Sequence, residues 1–209
     1  PPTVAAQAGN TAAGGPAGGT ATPAASPAAP AARFTKQADL KGVTFVVGQG
    51  SQATFTVNEK IAQFPAPNDA VMRTTALSGE VNLDGRPSTV KLDLAKLSSD
   101  QSRRDDFIQQ ALFRTGKTAT LTIASLPELP ATYAPGQVVK STVKGMLNIN
   151  GGDRPIAFDV EARIDGSTLS VVGRTSFVWS DFGYRAPNTP TVSVQDKVAV
   201  EVLIVATAP

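Results

Sequence analysis

Between Val138 and Ile164 apolar and polar side chains alternate with a period of two, and this constrains the chain more than any other feature. Leu147 and Ile149 alternate with Asn148 and Asn150, which gives a strand one apolar side. Gly151-Gly152-Asp153 reads as a turn cluster, because glycine accepts positive φ without steric cost. After it, Ile156, Phe158, Val160, Ala162 and Ile164 alternate with Ala157, Asp159, Glu161 and Arg163. A strand with one dry and one wet side cannot be a helix, and it needs a closed or covered sheet to bury its apolar row.

The same pattern recurs along most of the chain. Val43–Val47 is a strand candidate, Gly48–Ser51 a turn, and Ala53–Glu59 a returning strand. Pro65, Pro67, Asn68 and Asp69 mark a loop, and Thr74 to Leu83 a strand that ends at Asp84-Gly85. Val90, Leu92 and Leu94 alternate with Lys91, Asp93 and Ala95. Thr118–Ile123 follows, then a proline-punctuated loop through Pro127, Pro130 and Pro135. Asp165-Gly166 is the next tight turn, and Leu169, Val171 and Gly173 lead to Phe177-Val178-Trp179. Val198, Val200, Val202 and Ile204 close the chain, after a loop over Asp181–Pro190. Short, evenly spaced strands joined by turns predict an all-β fold, and closing the sheet into a barrel removes exposed edges. Residues 98–114 alone break the period. Ser102-Arg103-Arg104-Asp105 resembles a capping box, and Phe107, Ile108, Ala111 and Leu112 share one face at helical spacing. This predicts one short helix near 102–114, packed on the sheet.

Composition divides the chain in two. Residues 1–32 carry no charge, and 24 of those 32 positions are Ala, Pro or Gly. Such a segment buries too little apolar surface to offset the entropy of ordering it. It predicts an extended tether over residues 1–33 ahead of one domain over residues 34–209. An Ala/Pro/Gly/Thr tether without an initiating methionine fits an exported bacterial protein, periplasmic or extracellular, surface-anchored through a membrane tether upstream of Pro1. The 19 basic and 17 acidic residues are dispersed, so the sequence carries no nucleic-acid footprint. No apolar run reaches the ~18 residues of a membrane-spanning helix.

Three short motifs invite chemical readings that their context removes. Gly48-Gln49-Gly50-Ser51-Gln52-Ala53 fits a dinucleotide fingerprint, but an alternating strand follows where a helix N-terminus must hold the pyrophosphate. Gly116-Lys117-Thr118 resembles the end of a phosphate-binding loop, but Ala111 stands where its first glycine is required. Asp105-Asp106 sits in the first turn of the expected helix, where negative charge offsets the helix dipole. Without histidine there is no Ser-His-Asp triad, and without cysteine no thiolate metal site or disulfide. No catalytic residue, metal site or cofactor is assigned, and the chain reads as a non-enzyme.

Three blocks carry a resemblance. They are Leu97-Ser98-Ser99-Asp100 with Arg104-Asp105, Ile108 and Leu112; Gly145-x-Leu147-x-Ile149-x-Gly151-x-x-Arg154-Pro155-Ile156; and Ser180-Asp181-Phe182-Gly183 with Pro187 and Val198–Ala206. In this order and separation they resemble the YceI-like family of bacterial exported lipid-binding proteins, over roughly residues 40–206. The sequence departs from the family at Thr115-Gly116, where Tyr-Pro is common, and at Asn150, where the family carries histidine. The resemblance implies an antiparallel lipocalin-like β-barrel of about eight strands with one short helix, whose lumen holds a polyisoprenoid or another amphipathic lipid.

The apolar parity of the strands nominates Phe45, Phe55, Val57, Leu92, Leu94, Leu121, Ile123, Phe158, Val160, Phe177 and Trp179 as lining residues. Phe107, Ile108 and Leu112 of the helix are nominated to close one end. Barrels of this size also fill with their own side chains, so a solid core is the competing expectation for each residue. The alternative function is a structural cell-surface or filament subunit, a homo-oligomer in which residues 1–32 dock on a neighbouring barrel by adding a strand.

Overall fold

A computed structural model describes residues 33–113 and 117–209. The tether or docking role expected of residues 1–32 lies outside the described residues, as do Thr115 and Gly116. The described residues form ten strands: β1 (Thr44–Val47), β2 (Gln52–Ile61), β3 (Asn68–Thr74), β4 (Leu77–Asn82), β5 (Ser88–Asp93), β6 (Thr118–Ile123), β7 (Val139–Ile149), β8 (Gly152–Asp165), β9 (Thr168–Val178) and β10 (Val192–Thr207). Every pairing is antiparallel, and β1 pairs with β10 to close the sheet.

The ring has eight staves because two of them are each built from two strands. β1 and β2 both run antiparallel to β10 and therefore run in the same direction. The chain does not reverse at Gly48–Ser51, as the sequence suggested; it bulges. From Val46 to Gln52 seven residues oppose five of β10, Thr207 to Leu203. Ser51 fills the gap: its hydroxyl accepts from Val205 N (2.9 Å) and donates to Val205 O (3.1 Å). β3 and β4 make the matching stave, pairing with β2 and β1 respectively. Asn68 and Asp69, expected in a loop, pair with Glu59 and Asn58 within it. The result is an up-and-down, closed eight-stave barrel, the all-β antiparallel fold that the alternation predicted.

The alternating segment around Gly151 is the hairpin β7–β8. Its turn lies one residue earlier than the glycine cluster suggested. Ile149 pairs with Gly152, and Asn150 (φ 51°) and Gly151 (φ 81°) form a two-residue turn with both φ positive. Such a turn matches the right-handed twist of its strands, and Asn-Gly is its preferred sequence. Gly152 and Asp153 therefore belong to the return strand.

Helix α1 (Ser102–Phe107) continues as a π-type turn over Ile108–Leu112, where Phe113 N donates to Ile108 O at 2.8 Å. The extra residue rotates the face away from the expected 3.6-residue register. Ile108 and Phe113 turn inward, while Phe107 and Ala111 are exposed. The expected capping box is also replaced. Asp105 reaches back beyond Ser102 and accepts from Ser99 N (2.8 Å) and Ser99 Oγ (2.6 Å).

The two barrel ends are packed differently. At the helix end, Leu94, Leu97, Ile108, Phe113, Trp179 and Phe182 form a core with the inner faces of β2, β3 and β10. At the other end the segment before β1 crosses the base. Phe34 stacks against Phe45 at 5.7 Å, Leu40 is fully buried, and Tyr133 N donates to Thr35 O at 3.1 Å. Ala208 is buried beside them, and Arg33 donates to the Pro209 carbonyl.

Candidate functional site: the barrel lumen

Between the two packed ends lies an apolar cavity of about 560 Å³, inside the ~300–1,000 Å³ range of small-molecule sites. The strand period builds it. Inward positions are odd in β6, β7 and β9 and even in β8 and β10, so Leu121, Leu147, Val171, Val160 and Val202 meet across the axis. These side chains point into the barrel yet are only half-buried. Their bare surface faces the lumen, which decides against a solid core.

Inward glycine adds room. A Cβ on Gly173 would project toward Phe158 Cδ1 (3.4 Å) and Val160 Cγ1 (3.5 Å). At the helix end the wall is aromatic: Trp179 stands edge-on to Phe177 at 5.5 Å and to Tyr184 at 6.0 Å, and Phe113 lies 6.2 Å from Trp179. Edge-to-face contacts of this kind contribute about 0.5–1.5 kcal/mol each beyond the area they bury. Burial raises the pKa of the Tyr184 phenol behind that wall. At the base end the loop between β6 and β7 contributes Leu126, Pro127, Glu128, Leu129 and Pro130.

Ten of the nominated residues line this cavity: Phe55, Leu92, Leu94, Leu112, Leu121, Ile123, Phe158, Val160, Phe177 and Trp179. Four do not. Phe45 is consumed by the base core with Phe34, because its stave crosses there. Val57 packs into the core at the helix end, where the barrel fills completely, and Ile108 does the same from α1. Phe107 is turned to solvent by the π-type turn, at 42 % exposure. The loop Leu126–Pro130 and the inward Ser141 were missed. The loop has no periodicity to read, but Ser141 lies on the apolar parity of β7 and could have been found from it.

Comparison with known proteins gives the barrel its family. A model of the YceI-like domain matches residues 32–206. The chain belongs to the YceI-like family. Among solved structures, this YceI-like barrel is similar to a polyisoprenoid binding domain from Saccharophagus degradans implicated in plant cell wall breakdown, with a TM-score of 0.64, 18 % identity, and coverage of 79 % of this chain and 98 % of that one. It is also similar to Burkholderia cenocepacia BcnA, with a TM-score of 0.55, 19 % identity, and coverage of 75 % and 96 %. A mutant CJ YCEI protein with a monobromobimane guest gives a TM-score of 0.52, 16 % identity, and coverage of 72 % and 90 %. No curated protein matches the chain. At these identities the structural likeness speaks to the YceI-like fold, and the lumen geometry has to carry the function.

Proposed function

We propose that this protein is a non-catalytic carrier that holds a polyisoprenoid or similar amphipathic lipid in its barrel lumen. One observation carries the reading: Leu121, Leu147, Val160, Val171 and Val202 face inward but leave half-buried apolar surface around an unfilled axis. Covering that surface with a hydrocarbon chain contributes about 25 cal/mol per Å² removed from water. The polyisoprenoid-binding domain of Saccharophagus degradans supports the class of lipid. Among the described residues no cluster of three or more His, Cys, Asp or Glu could hold a metal, and none of the lining residues forms a nucleophile–base pair. In this reading the carrier is exported and residues 1–32 are its tether, dispensable for lipid binding.

Native mass spectrometry of the full chain, gently desalted from its expression host, tests the proposal. A carrier shows a discrete adduct of lipid mass that is lost on collisional activation. Only apo protein, before and after incubation with a prenyl alcohol, would reject the carrier role.

A further inference from the structure

The lining residues are not uniformly sheltered. Four of them are exposed, Pro127, Glu128, Pro130 and Lys140; all others are buried or half-buried. The four belong to one place, where the β6–β7 loop meets the first residues of β7. Leu126 and Leu129 of this loop pack on the base core, which fixes its position at that end. The opposite end is shut by Leu94, Leu97, Phe113, Phe177 and Trp179, each less than 10 % exposed.

Polarity follows the same axis. Glu128 and Lys140 are the charged residues beside the exposed rim, Lys140 at an outward position of β7. Just inside it, Ser141 occupies an inward position between Val139 and Val143. The other inward hydroxyl, on Thr175, donates to Ala157 O at 2.7 Å, whereas that of Ser141 has no partner among the described residues. Lys140 is bound to Glu161 at 3.0 Å. That pair stands on the outer face, at outward positions of β7 and β8; Glu128 has no ion-pair partner among the described residues, so the charge that the rim offers a ligand is a carboxylate.

We infer that the lipid enters through this rim tail-first, seats its apolar end against Trp179, and presents an uncharged hydrogen-bonding head, an alcohol or carbonyl rather than a phosphate, to Ser141. The inference rests on the carrier reading and adds direction and head chemistry. An anionic head at the rim would face Glu128, and like charges repel unless screened. A neutral head meets no such opposition and can exchange a hydrogen bond with the Ser141 hydroxyl.

Trp179 is the only tryptophan of the chain, which makes the direction measurable. The probes are two long-chain alcohols, one brominated at the terminal carbon and one beside the hydroxyl, together with farnesol and farnesyl monophosphate. Bromine quenches indole emission on contact. The terminally brominated alcohol is expected to quench Trp179 strongly and the head-brominated one weakly. Farnesol is expected to bind about tenfold or more tightly than its monophosphate at low salt, with the gap narrowing as salt rises and in Glu128→Gln. Ser141→Ala should weaken farnesol by ~3- to 10-fold, the loss of one hydrogen bond. Stronger quenching by the head-brominated alcohol overturns the direction, and equal or tighter binding of the monophosphate overturns the head chemistry. If no probe binds, the carrier reading fails and takes this inference with it.

Discussion

Arg104 Nη2 lies 2.6 Å from Glu59 Oε1, with the two side chains only 12 % and 7 % exposed. This ion pair joins α1 to β2 at the closed end of the barrel. Arg104 also donates to Asp100 (2.6 Å), and Asn68 donates its amide to Glu59 (3.1 Å). Burial by itself lowers the guanidinium pKa, but the bonds to Glu59 and Asp100 outweigh it and hold the group above its usual value. The guanidinium therefore stays charged at every accessible pH. Removing one partner strands the other. Glu59→Ala is expected to cost about 3 kcal/mol, near the low end for broken buried pairs because Asp100 remains. Replacing both with apolar residues, Glu59→Leu with Arg104→Met, should recover most of that loss in urea denaturation. A double variant as unstable as the single one would show that the pair, rather than the stranded charge, sets the cost.

Gly79 sets a second limit. It sits in β4 at φ 131°, a region open in practice only to glycine. A Cβ there would collide with the carbonyl oxygen of Thr89 and crowd Val90 Cα at 3.0 Å, both backbone atoms of β5. Gly79→Ala is predicted to destabilise by about 2–3 kcal/mol or prevent folding, since neither neighbour can swing aside. A denaturation midpoint equal to that of the wild type would contradict this.

The parity of strands was legible because a one-residue slip would move a whole apolar row into water. That is why Phe55, Leu92, Phe158 and Trp179 could be assigned to the interior from alternation alone. What alternation cannot convey is whether a chain reverses or bulges. Gly48–Ser51 has the residues of a turn, and only the distant Val205, bound by Ser51, makes it a bulge. The helix misled for a similar reason. Phe107 fits a 3.6-residue face, and the π-type turn at Ile108–Leu112 that expels it has no local signature. Packing also decided between Phe45 and Phe55, which alternate identically but end in a filled base and an open lumen.

Acid should loosen the strap that crosses the base. Asp39 is held below its ordinary 3.8, chiefly by the Thr35 backbone N–H and also by that of Lys36. For Asp84 burial is the largest influence and acts upward, but the Gly42 N–H (2.8 Å) and Arg86 (2.9 Å) together carry it below 3.8 as well. A carboxylate with a depressed folded pKa binds its proton more readily when unfolded. Its contribution is complete above the unfolded value and disappears as pH falls through the folded one. Stability measured in urea should therefore hold down to about pH 5 and drop as pH falls from there through and below 3.8, and the drop should be smaller in Asp84→Asn and Asp39→Asn. Variants with the same pH slope as the wild type would remove these two carboxylates from the account.

Two inward glycines separate lumen volume from fold stability. At Gly145 a Cβ would lie 2.8 Å from Thr122 O and 2.9 Å from Leu121 Cδ1, so even alanine must push β6 and β7 apart. At Gly173 the nearest atoms, Phe158 Cδ1 and Val160 Cγ1, stand at 3.4 and 3.5 Å, an ordinary contact distance, and beyond them is the cavity. Gly173→Leu is therefore predicted to fold, with stability within about 1–2 kcal/mol of the wild type, while its side chain occupies the space the lipid needs. Lipid affinity should fall at least about tenfold, or 1.4 kcal/mol. Gly145→Ala should show the opposite profile: lower stability, with lipid occupancy preserved in whatever fraction folds. Thermal unfolding paired with native mass spectrometry reads both quantities on the same samples. If Gly173→Leu keeps its lipid at wild-type affinity, the chain does not run past the middle of β9, and the cavity between Leu121, Val160 and Val202 is not where the ligand lies.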